Sequence, residues 1–331
     1  MQAGDGPRAL PRLSQNNRLF VFTAMIAHAL LDELSAEVAL EHRPRLLGLA
    51  YRMLGDIDEA EDIVQEAFLR WQQTDRHAVR SSEAWLVAVV SRLSIDRLRR
   101  LKTERAAYPG PWLPEPIATG SPFAPAAPRA ADRAAELASD LSVALLVLLE
   151  RLAPEERAAF LLREVFETDY DEIARILNRR PAAVRQMVHR ARMRVHADRP
   201  RVSAPPGAHA EIVEQFISAL SADDAPALLA LLAPDVTLAS DGGGRAIAAR
   251  KWLLGSDRVG RLLLGITRKA RCEVRRCLTH LNGQPAVLTF RDGVLASTMA
   301  LDVQEGRIRA VHVVRNPEKL RHALHTVAPI V

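Results

Sequence analysis

Hydrophobic positions recur with helical spacing through residues 36–102, and polar breaks divide the pattern into three segments. The first segment carries an apolar stripe that ends at Gly55 and comprises Leu46, Leu47, Leu49, Ala50 and Met53. The second, DEAEDIVQEAFLRW, begins at Asp58, and the third, SEAWLVAVVSRLSIDRLRR, begins at Ser82. Because Asp and Ser are preferred helix N-caps, we expect both residues to cap their helices. The pattern predicts an all-helical unit over 36–102.

A second all-helical unit is predicted over residues 139–202, and it ends in two short helices. In the stretch DYDEIARILNRRPAAVRQMVHRARMR, Asp169 and Glu172 have the spacing of a capping box. Asn178 tolerates a left-handed turn, and Pro181 has its preferred place in the first turn of the next helix. We expect that helix to bury Val184, Met187, Val188 and Ala191 and to expose Arg185, Gln186, His189, Arg190 and Arg192.

The last two helices of this unit are typical of a helix-turn-helix whose basic second helix reads the DNA major groove. An ordinary helical hairpin with a solvated basic face is the alternative. Charge clustering bears on the choice, although the net charge of the chain is only +5. Acidic residues gather in 56–66 and basic residues in 175–201, and a second basic cluster comprises Arg92, Arg97, Arg99, Arg100, Lys102 and Arg105. One acidic and two basic surfaces suggest a protein partner and a nucleic acid contacted twice.

Residues 103–138 interrupt the helical pattern with seven prolines between positions 109 and 128. Proline excludes both a regular helix and a central strand, so we expect an extended, semi-stiff linker. The linker contains WLPEP (112–116), and a Trp in a linker indicates docking on another surface.

Residues 208–331 predict a separate α+β domain. Two helical segments and a strand ending in the glycine turn DGGGR (241–245) come first, followed by a further helix. Four strands then succeed one another, with turns predicted at Asn282-Gly283, Asp292-Gly293 and Glu305-Gly306. At the other end of the chain, residues 1–35 are expected to be an N-terminal extension that is partly disordered.

Composition limits the class of protein. A length of 331 residues suggests two or three domains, and 48% hydrophobic residues suffice to bury their cores. No apolar run approaches the roughly 20 residues of a membrane span, so we expect a cytoplasmic protein. The two cysteines, Cys272 and Cys277, match no zinc or redox spacing, so we expect neither a metal nor a cofactor.

The two helical units resemble a known family. AYRMLGDIDEAEDIVQEAFLRW with SEAWLVAVVSRLSIDRLRR is similar to region 2 of the sigma-70 family of RNA polymerase specificity factors. LERLAPEERAAFLLREVFETDYDEIARILNRRPAAVRQMVHRARMRV is similar to region 4. The two regions occur in order with a short linker, as in the extracytoplasmic-function class. The resemblance covers about 36–200 and implies promoter recognition together with core RNA polymerase, through the β′ coiled coil and the β subunit.

The resemblance also implies roles for individual residues. The polar face that would bind core polymerase comprises Asp62, Gln65, Glu66 and Arg70. The −10 promoter element would be contacted by Trp85, Arg92, Arg97, Arg99 and Arg100. The −35 element would be contacted by Arg179, Arg180, Arg185, Gln186, His189 and Arg190. Two positions depart from the family pattern, because relatives usually have Ser or Thr at Arg180 and many have Asn at Arg92.

The third domain resembles the SnoaL-like (NTF2-like) cone fold. With WLPEP, DGGGR and NPEKL (316–320), the whole chain resembles the sigma-J-type subgroup, which carries such a fused domain. This resemblance implies that the fused domain tunes sigma activity, so that no separate anti-sigma protein is required. The implied interdomain residues are Trp112, Leu113, Pro114, Glu115, Asp241, Gly242, Gly243, Gly244, Arg245, Asn316 and Pro317. We expect Glu115 to be a partner of Arg245, and Pro317 to start a terminal helix through Leu320.

Other functions stay open at this point. Some SnoaL-like domains cyclise or isomerise small molecules with a buried acid or base, for which the candidates are Asp241, His280, Asp292, Asp302 and His312. None of these forms a pair with acid–base spacing, so we expect no catalytic residue. The pocket of the domain could instead bind a small ligand. The alternatives are a ligand-responsive helix-turn-helix regulator that does not bind polymerase and a cyclase or isomerase fused to a DNA-binding module. The acidic second helix argues against the former.

Overall fold

The computed structural model describes Val38 and residues 40–118, 142–198 and 206–324. The predicted N-terminal extension (1–35), residues 119–138 of the predicted linker and the first residues (139–141) of the predicted second helical unit lie outside the described residues. Within the part of the chain that is described, no helix combines the length and the apolar character that a membrane crossing requires.

The first unit consists of three helices: α1 (helical over 40–54), α2 (Ile57–Gln72) and α3 (Ser82–Ala106), with a 3-10 turn at Arg76–Ala78. The predicted caps were wrong by one or two residues. Asp56, and not Asp58, accepts a hydrogen bond from the Glu59 N–H at 3.1 Å. Ser81, and not Ser82, accepts one from the Ala84 N–H at 3.2 Å. Periodicity defines which face of a helix is buried, whereas extended backbone at the cap defines where the helix begins.

The second unit contains α4 (Val143–Leu149), α5 (Pro154–Glu164), α6 (Tyr170–Leu177) and α7 (Pro181–Asp198). Asn178 ends α6 in the left-handed conformation with a φ of 52°, and Pro181 begins α7, as predicted. The four positions predicted to be buried on α7 are buried. The predicted capping box does not form, because the Asp169 side chain makes no cap hydrogen bond and lies 3.8 Å from Arg163 instead. Arg192 is half-buried instead of exposed, because it donates to Glu164 at 2.6 Å.

Both helical units share one continuous hydrophobic core. An ionic cluster also joins them, because the Glu150 carboxylate accepts from Arg157 of α5 and from Arg105 of α3. Arg157 is almost completely buried and donates its Nε–H to the Arg52 carbonyl oxygen at 3.0 Å. Burial alone would raise the pKa of Glu150, but the two guanidinium groups lower it, so that the carboxylate stays ionised.

The third unit is an α+β domain in which helices cover a six-stranded sheet of order β2-β1-β6-β5-β4-β3. Its strands are β1 (Leu232–Asp241), β2 (Leu253–Leu254), β3 (Val274–Leu281), β4 (Gln284–Arg291), β5 (Val294–Gln304) and β6 (Arg307–Val314). Its helices are α8 (Pro206–Ser221), α9 (Ala225–Leu231), α10 (Ser256–Arg268) and α11 (Pro317–Leu324). The three predicted hairpin turns form, each with both turn residues at positive φ. The parallel pairing of β1 with β6 was not predicted, because it joins the two ends of the domain.

The corrected cap gives a test of the α2 boundary. We expect Asp56→Ala to destabilise the protein by about 1 kcal/mol, because the mutation leaves an N-terminal N–H of α2 without its acceptor. The measurement is the midpoint of denaturant unfolding. Asp58→Ala is the matched control, because Asp58 is exposed and its ion pairs with Arg321 and His322 are long, at 3.6 Å and 3.7 Å. Equal loss from both mutations would contradict the assignment.

Candidate nucleic-acid interface and interdomain clasp

The polar face predicted to bind core polymerase lies on the outer side of α2. Asp62 and Gln65 are exposed, and Glu66 forms a salt bridge with Arg70 at 2.8 Å, one helical turn further on. The opposite face packs into the core through Ile57, Ala60, Ile63, Val64, Ala67 and Trp71. The four predicted residues therefore share one solvent-facing stripe that the fold does not use.

The residues predicted for the −10 element lie on α3, and the protein itself engages most of them. Trp85 is half-buried, with its ring centroid 5.3 Å from that of Trp71. Arg97 is held between Glu59 and Glu104, and these hydrogen bonds raise its pKa. Arg100, next to Arg99 on the same helix, is exposed.

Two of these arginines bridge to the second helical unit. Arg92 donates to the Ile176 carbonyl oxygen at 2.9 Å and to the Arg175 carbonyl oxygen at 3.1 Å, at the C-terminal end of α6. A cation is favoured there because the last carbonyl groups of a helix lack partners. Arg99 donates to Glu155 at 2.8 Å, and the same carboxylate accepts from Arg179 at 2.9 Å. In this arrangement, Arg92, Arg99 and Arg179 cannot contact DNA with the same donors.

The outer face of α7 and the turn before it form a free basic surface. Arg180, Arg185, Gln186 and His189 are exposed, and Arg190 lies 3.6 Å from Glu156 at the edge of the set. Arg185 and Arg190 are five residues apart, which corresponds to about 7.5 Å along the helix axis. They therefore cannot contact the same base pair.

A third site joins the linker to the α+β domain, and we call it the interdomain clasp: residues 108–118 together with Asp241, Asn282, Asn316, Lys319 and His322. Its centre is the completely buried Asp241 carboxylate. This carboxylate accepts from the Tyr108 hydroxyl at 2.5 Å, the Leu113 N–H at 2.9 Å and the Lys319 ammonium at 2.8 Å. Burial lowers the pKa of Lys319, and Asp241 opposes that effect. The ammonium also donates to the Leu113 carbonyl oxygen at 2.5 Å, so linker and domain share one hydrogen-bond network.

Trp112 lies between two cations. The Arg105 guanidinium is 3.4 Å from its ring centroid and the Lys319 ammonium is 4.0 Å from it. The ring edge fits over Gly55, where an added Cβ would lie 2.7 Å from Trp112 Cη2. Gly55 also has a φ of +70°, so the turn after α1 requires glycine for two reasons. The predicted docking of the linker Trp is therefore on the first helical unit as well as on the third domain.

Glu115 occupies the other end of the WLPEP segment, followed by the buried Pro116, and is itself buried. Its backbone N–H donates to the Gly55 carbonyl oxygen at 2.9 Å, and its carboxylate accepts from the Ile57 N–H at 2.8 Å and contacts His322 at 2.9 Å. Burial raises the pKa of Glu115, and the contact with His322 partly offsets this. The expected pairing with Arg245 was wrong. Arg245 is exposed and pairs with Glu318 at 2.7 Å, because the turn carries it away from the buried carboxylate.

The remaining predicted clasp residues complete the contact. Leu113 and Pro114 are buried, and Gly242, Gly243 and Gly244 turn the chain after β1. Gly243 has a φ of +58°, and an added Cβ would lie 2.4 Å from Asn316 Nδ2. Asn316 donates to the Tyr108 hydroxyl at 3.2 Å and accepts from the Glu318 N–H at 3.1 Å. Pro317 begins α11, as predicted, and this helix continues to Leu324.

Sequence reasoning missed several clasp residues. Asn282 was interpreted only as a turn residue, yet it pairs with Ile117 through its backbone N–H at 2.7 Å and its side-chain oxygen at 3.1 Å. Its amide also donates to the Tyr51 hydroxyl at 2.8 Å, so α1 touches the third domain directly. Lys319 stands inside the NPEKL motif. The other residues of this motif predict the start of a helix, so its Lys was the one signal in the sequence for a buried acidic partner.

The acid–base candidates of the third domain lie outside its cavity, and two of them, Asp302 and His280, lie close enough to His209 to influence its pKa. His312 is buried, which lowers its pKa to about 4, and Asp292 accepts from the Glu273 N–H in its turn. Asp302 accepts from Gln304, and His280 is exposed on β3. A cavity of about 240 Å³ lies between α10 and the sheet, and none of the five candidates lines it.

Comparisons with known proteins identify the two helical units. Residues 38–104 match the family model for Sigma-70 region 2, and residues 142–195 match that for Sigma-70, region 4. The ECF RNA polymerase sigma factor SigJ of Mycobacterium tuberculosis is 38% identical over 291 residues, 84% of this chain and 90% of that protein. The probable ECF RNA polymerase sigma factor SigI of the same species is 36% identical over 84% of this chain and 92% of that protein.

A solved structure extends the likeness through the third domain. The crystal structure of M. tuberculosis SigJ superimposes with a TM-score of 0.67 at 33% identity, covering 87% of this chain and 98% of that one. The predicted family, the fold class of two helical sigma domains with an α+β NTF2-like domain, and the promoter-recognition function are thereby confirmed. The chain belongs to the extracytoplasmic-function sigma factors, which bind core RNA polymerase and promoter DNA.

Proposed function

We propose that the third domain of this sigma factor tunes promoter recognition by holding the linker in the interdomain clasp. The observation that carries the proposal is that residues 112–118 bond to two bodies at once. On one side they bond to Tyr51, Gly55 and Ile57, and on the other to Asp241 and Asn282. A linker held from both sides ties the third domain directly to the first helical unit.

The buried charges make the clasp selective for this one arrangement. The linker supplies hydrogen bonds to the Asp241–Lys319 ion pair, and a hydrogen bond to a charged group typically contributes about 1.5–3 kcal/mol. If the linker left, Asp241 would lose the Leu113 N–H and the Tyr108 hydroxyl, and Lys319 would lose the Leu113 carbonyl. Asp241 and Lys319, which pair with each other within the third domain, therefore also oppose release of the linker.

The direct contact between the two helical units supports the idea that the distance between regions 2 and 4 is regulated. Promoter engagement needs regions 2 and 4 spread over the polymerase, whereas Arg92, Arg99 and Arg179 here bind protein acceptors. Phosphate groups would compete for the same donors once the units separate. A third domain that fixes the linker biases this equilibrium from within the chain. We therefore propose that no separate anti-sigma protein is required.

We also propose that the domains follow the predicted boundaries and that the protein acts without catalysis in the cytoplasm. The position of the five acid–base candidates outside the lining of the described cavity favours this over a fused cyclase or isomerase. The exposed stripe of Asp62, Gln65, Glu66 and Arg70 favours a polymerase-binding factor over a regulator that binds DNA alone. Contact residues at the −10 and −35 elements are proposed as predicted, with Trp85 acting from a half-buried position.

Polymerase binding can be tested on α2. We expect Asp62→Arg with Gln65→Ala to abolish binding to core polymerase without loss of helicity, because both side chains are exposed and make no contact needed for the fold. Co-purification with core enzyme and circular dichroism measure the two properties. The matched control is Glu214→Arg with Gln215→Ala on the exposed side of α8. Undiminished co-purification of the α2 variant would contradict the assignment.

The −35 assignment predicts different behaviour for two arginines on α7. Arg185, nearer the N-terminal end, should read a base, so Arg185→Ala should cost about 1–3 kcal/mol and relax specificity at one position. Arg190 should contact phosphate, so Arg190→Ala should weaken binding to all sequences alike and lower the salt dependence. Binding of each variant is measured against a series of −35 sequences at several salt concentrations. Uniform weakening by Arg185→Ala would show that the roles are wrongly assigned.

The clasp is tested by Trp112→Ala and Gly243→Val, alone and combined, in run-off transcription with core polymerase. Because both mutations open the same contact, we expect each to change activity in the same direction and the double mutant to resemble the stronger single one. Gly293→Val is the control: this glycine also has a positive φ, but it lies in a hairpin turn with open space around it. Additive effects, or activity indifferent to both mutations, would make the linker a plain spacer.

A further inference from the structure

The cavity in the third domain has apolar walls and is large enough for a small organic molecule. Its volume of about 240 Å³ exceeds the ~150 Å³ of a cavity that holds benzene. Apolar side chains from helices and strands line it, among them Leu220, Leu238, Leu263, Met299 and Val313. Ile247 and Ile266 also line it and are exposed, so the cavity communicates with solvent.

Three arginines from different parts of the sheet converge on this apolar cavity. Arg276 lies on β3, Arg291 at the end of β4, and Arg315 just after β6. Burial lowers the pKa of Arg276 and of Arg315, and repulsion by Arg291 lowers both further. No Asp or Glu is among the lining residues, and none of the three arginines forms a salt bridge with any residue that the structure describes. The cavity therefore concentrates uncompensated positive charge.

Hydrogen-bonding groups at the cavity are also unsatisfied. Arg276 Nε and Thr289 Oγ1 are buried without a hydrogen-bond partner in the described part of the chain. The other contacts of the arginines are with neutral oxygens, because Arg276 donates to Thr267 at 2.7 Å and Arg315 donates to the Ile247 carbonyl. Buried donors without acceptors are rare in folded proteins, so a ligand that supplies acceptors would satisfy these groups.

We propose that this cavity binds a small organic carboxylate, with its head group at Arg276, Arg291 and Arg315 and its apolar body along the leucine, methionine and valine wall. A carboxylate matches both properties of the cavity. It supplies acceptors and negative charge for guanidinium groups, which bind carboxylates in a bidentate manner. A neutral apolar molecule would leave the charges unpaired, and a cation would be repelled.

The cavity adjoins the clasp but does not overlap its central contact. Ser240 and Arg315, which line the cavity, directly precede Asp241 and Asn316 in the chain. Binding is nevertheless a property of the cavity alone. It can be measured on the free protein, so its outcome is independent of whether the clasp regulates transcription.

The first experiment compares head groups on one apolar chain by isothermal titration calorimetry with the full-length protein. The probes are octanoate, 1-octanol and octylamine, and naphthalene-2-carboxylate serves as a carboxylate of different shape. We expect at least one carboxylate to bind at least tenfold more tightly than octanol, octylamine not to bind, and added salt to weaken carboxylate binding. Absence of binding by both carboxylates at millimolar concentration, or equal binding of octanol, would overturn the proposal.

The second experiment tests the location of the site. Arg291→Gln removes the charge that repels the other two arginines. Among the described residues the Arg291 side chain has no hydrogen bond or salt bridge, and its backbone pairs with Val274 and Val294 whatever the side chain, so we expect the fold to be retained. The variant should bind the carboxylate at least tenfold more weakly while binding octanol as the parent protein does. Arg307→Gln is the control, because Arg307 is exposed on β6 and does not line the cavity. Unchanged carboxylate affinity in Arg291→Gln would overturn the proposal.

Discussion

The buried carboxylate of Asp241 is the constraint on which the arrangement of the three domains depends. A charge without solvent must be matched by donors, and those of Asp241 come from separate segments. Tyr108 and Leu113 belong to the linker, whereas Lys319 belongs to the terminal helix α11. Satisfying one side chain therefore fixes the path of linker residues 108–113 and the position of α11 at the same time.

Arg105 connects the buried charges of the clasp to those of the helical units. Its guanidinium stacks on Trp112, donates to the Leu54 carbonyl oxygen at 2.6 Å and pairs with Glu150. Glu150 is in turn paired with the buried Arg157 of α5. A series of buried charged groups, joined through the Trp112 ring, thus leads from the third domain to region 4, although Arg105 Nε and Arg157 Nη2 have no hydrogen-bond partner among the described residues.

Arginine has three different environments in this chain, and the environment decides what each can do. Exposed residues such as Arg180 and Arg185 are available to DNA. Arg92 and Arg99 have the same chemistry but bind protein oxygens in this arrangement, so their donors are available to another partner only after a change of conformation. The cavity arginines lie among apolar side chains, and their described acceptors are neutral oxygens and not carboxylates. Counting basic residues in the sequence cannot separate these cases.

The sequence by itself determined the features that depend on near neighbours. Helix faces, the Asn178 turn, the three hairpins and the docking of a Trp in a proline-rich linker follow from local periodicity and backbone preference. Tertiary structure decided which residue meets which: the cap at Asp56, the pairing of Glu115 with α2 and α11 in place of Arg245, and the bond between Leu113 and Asp241. Such contacts join segments far apart in the chain, and a buried charge selects its partner by the geometry of the folded state, which local sequence does not encode.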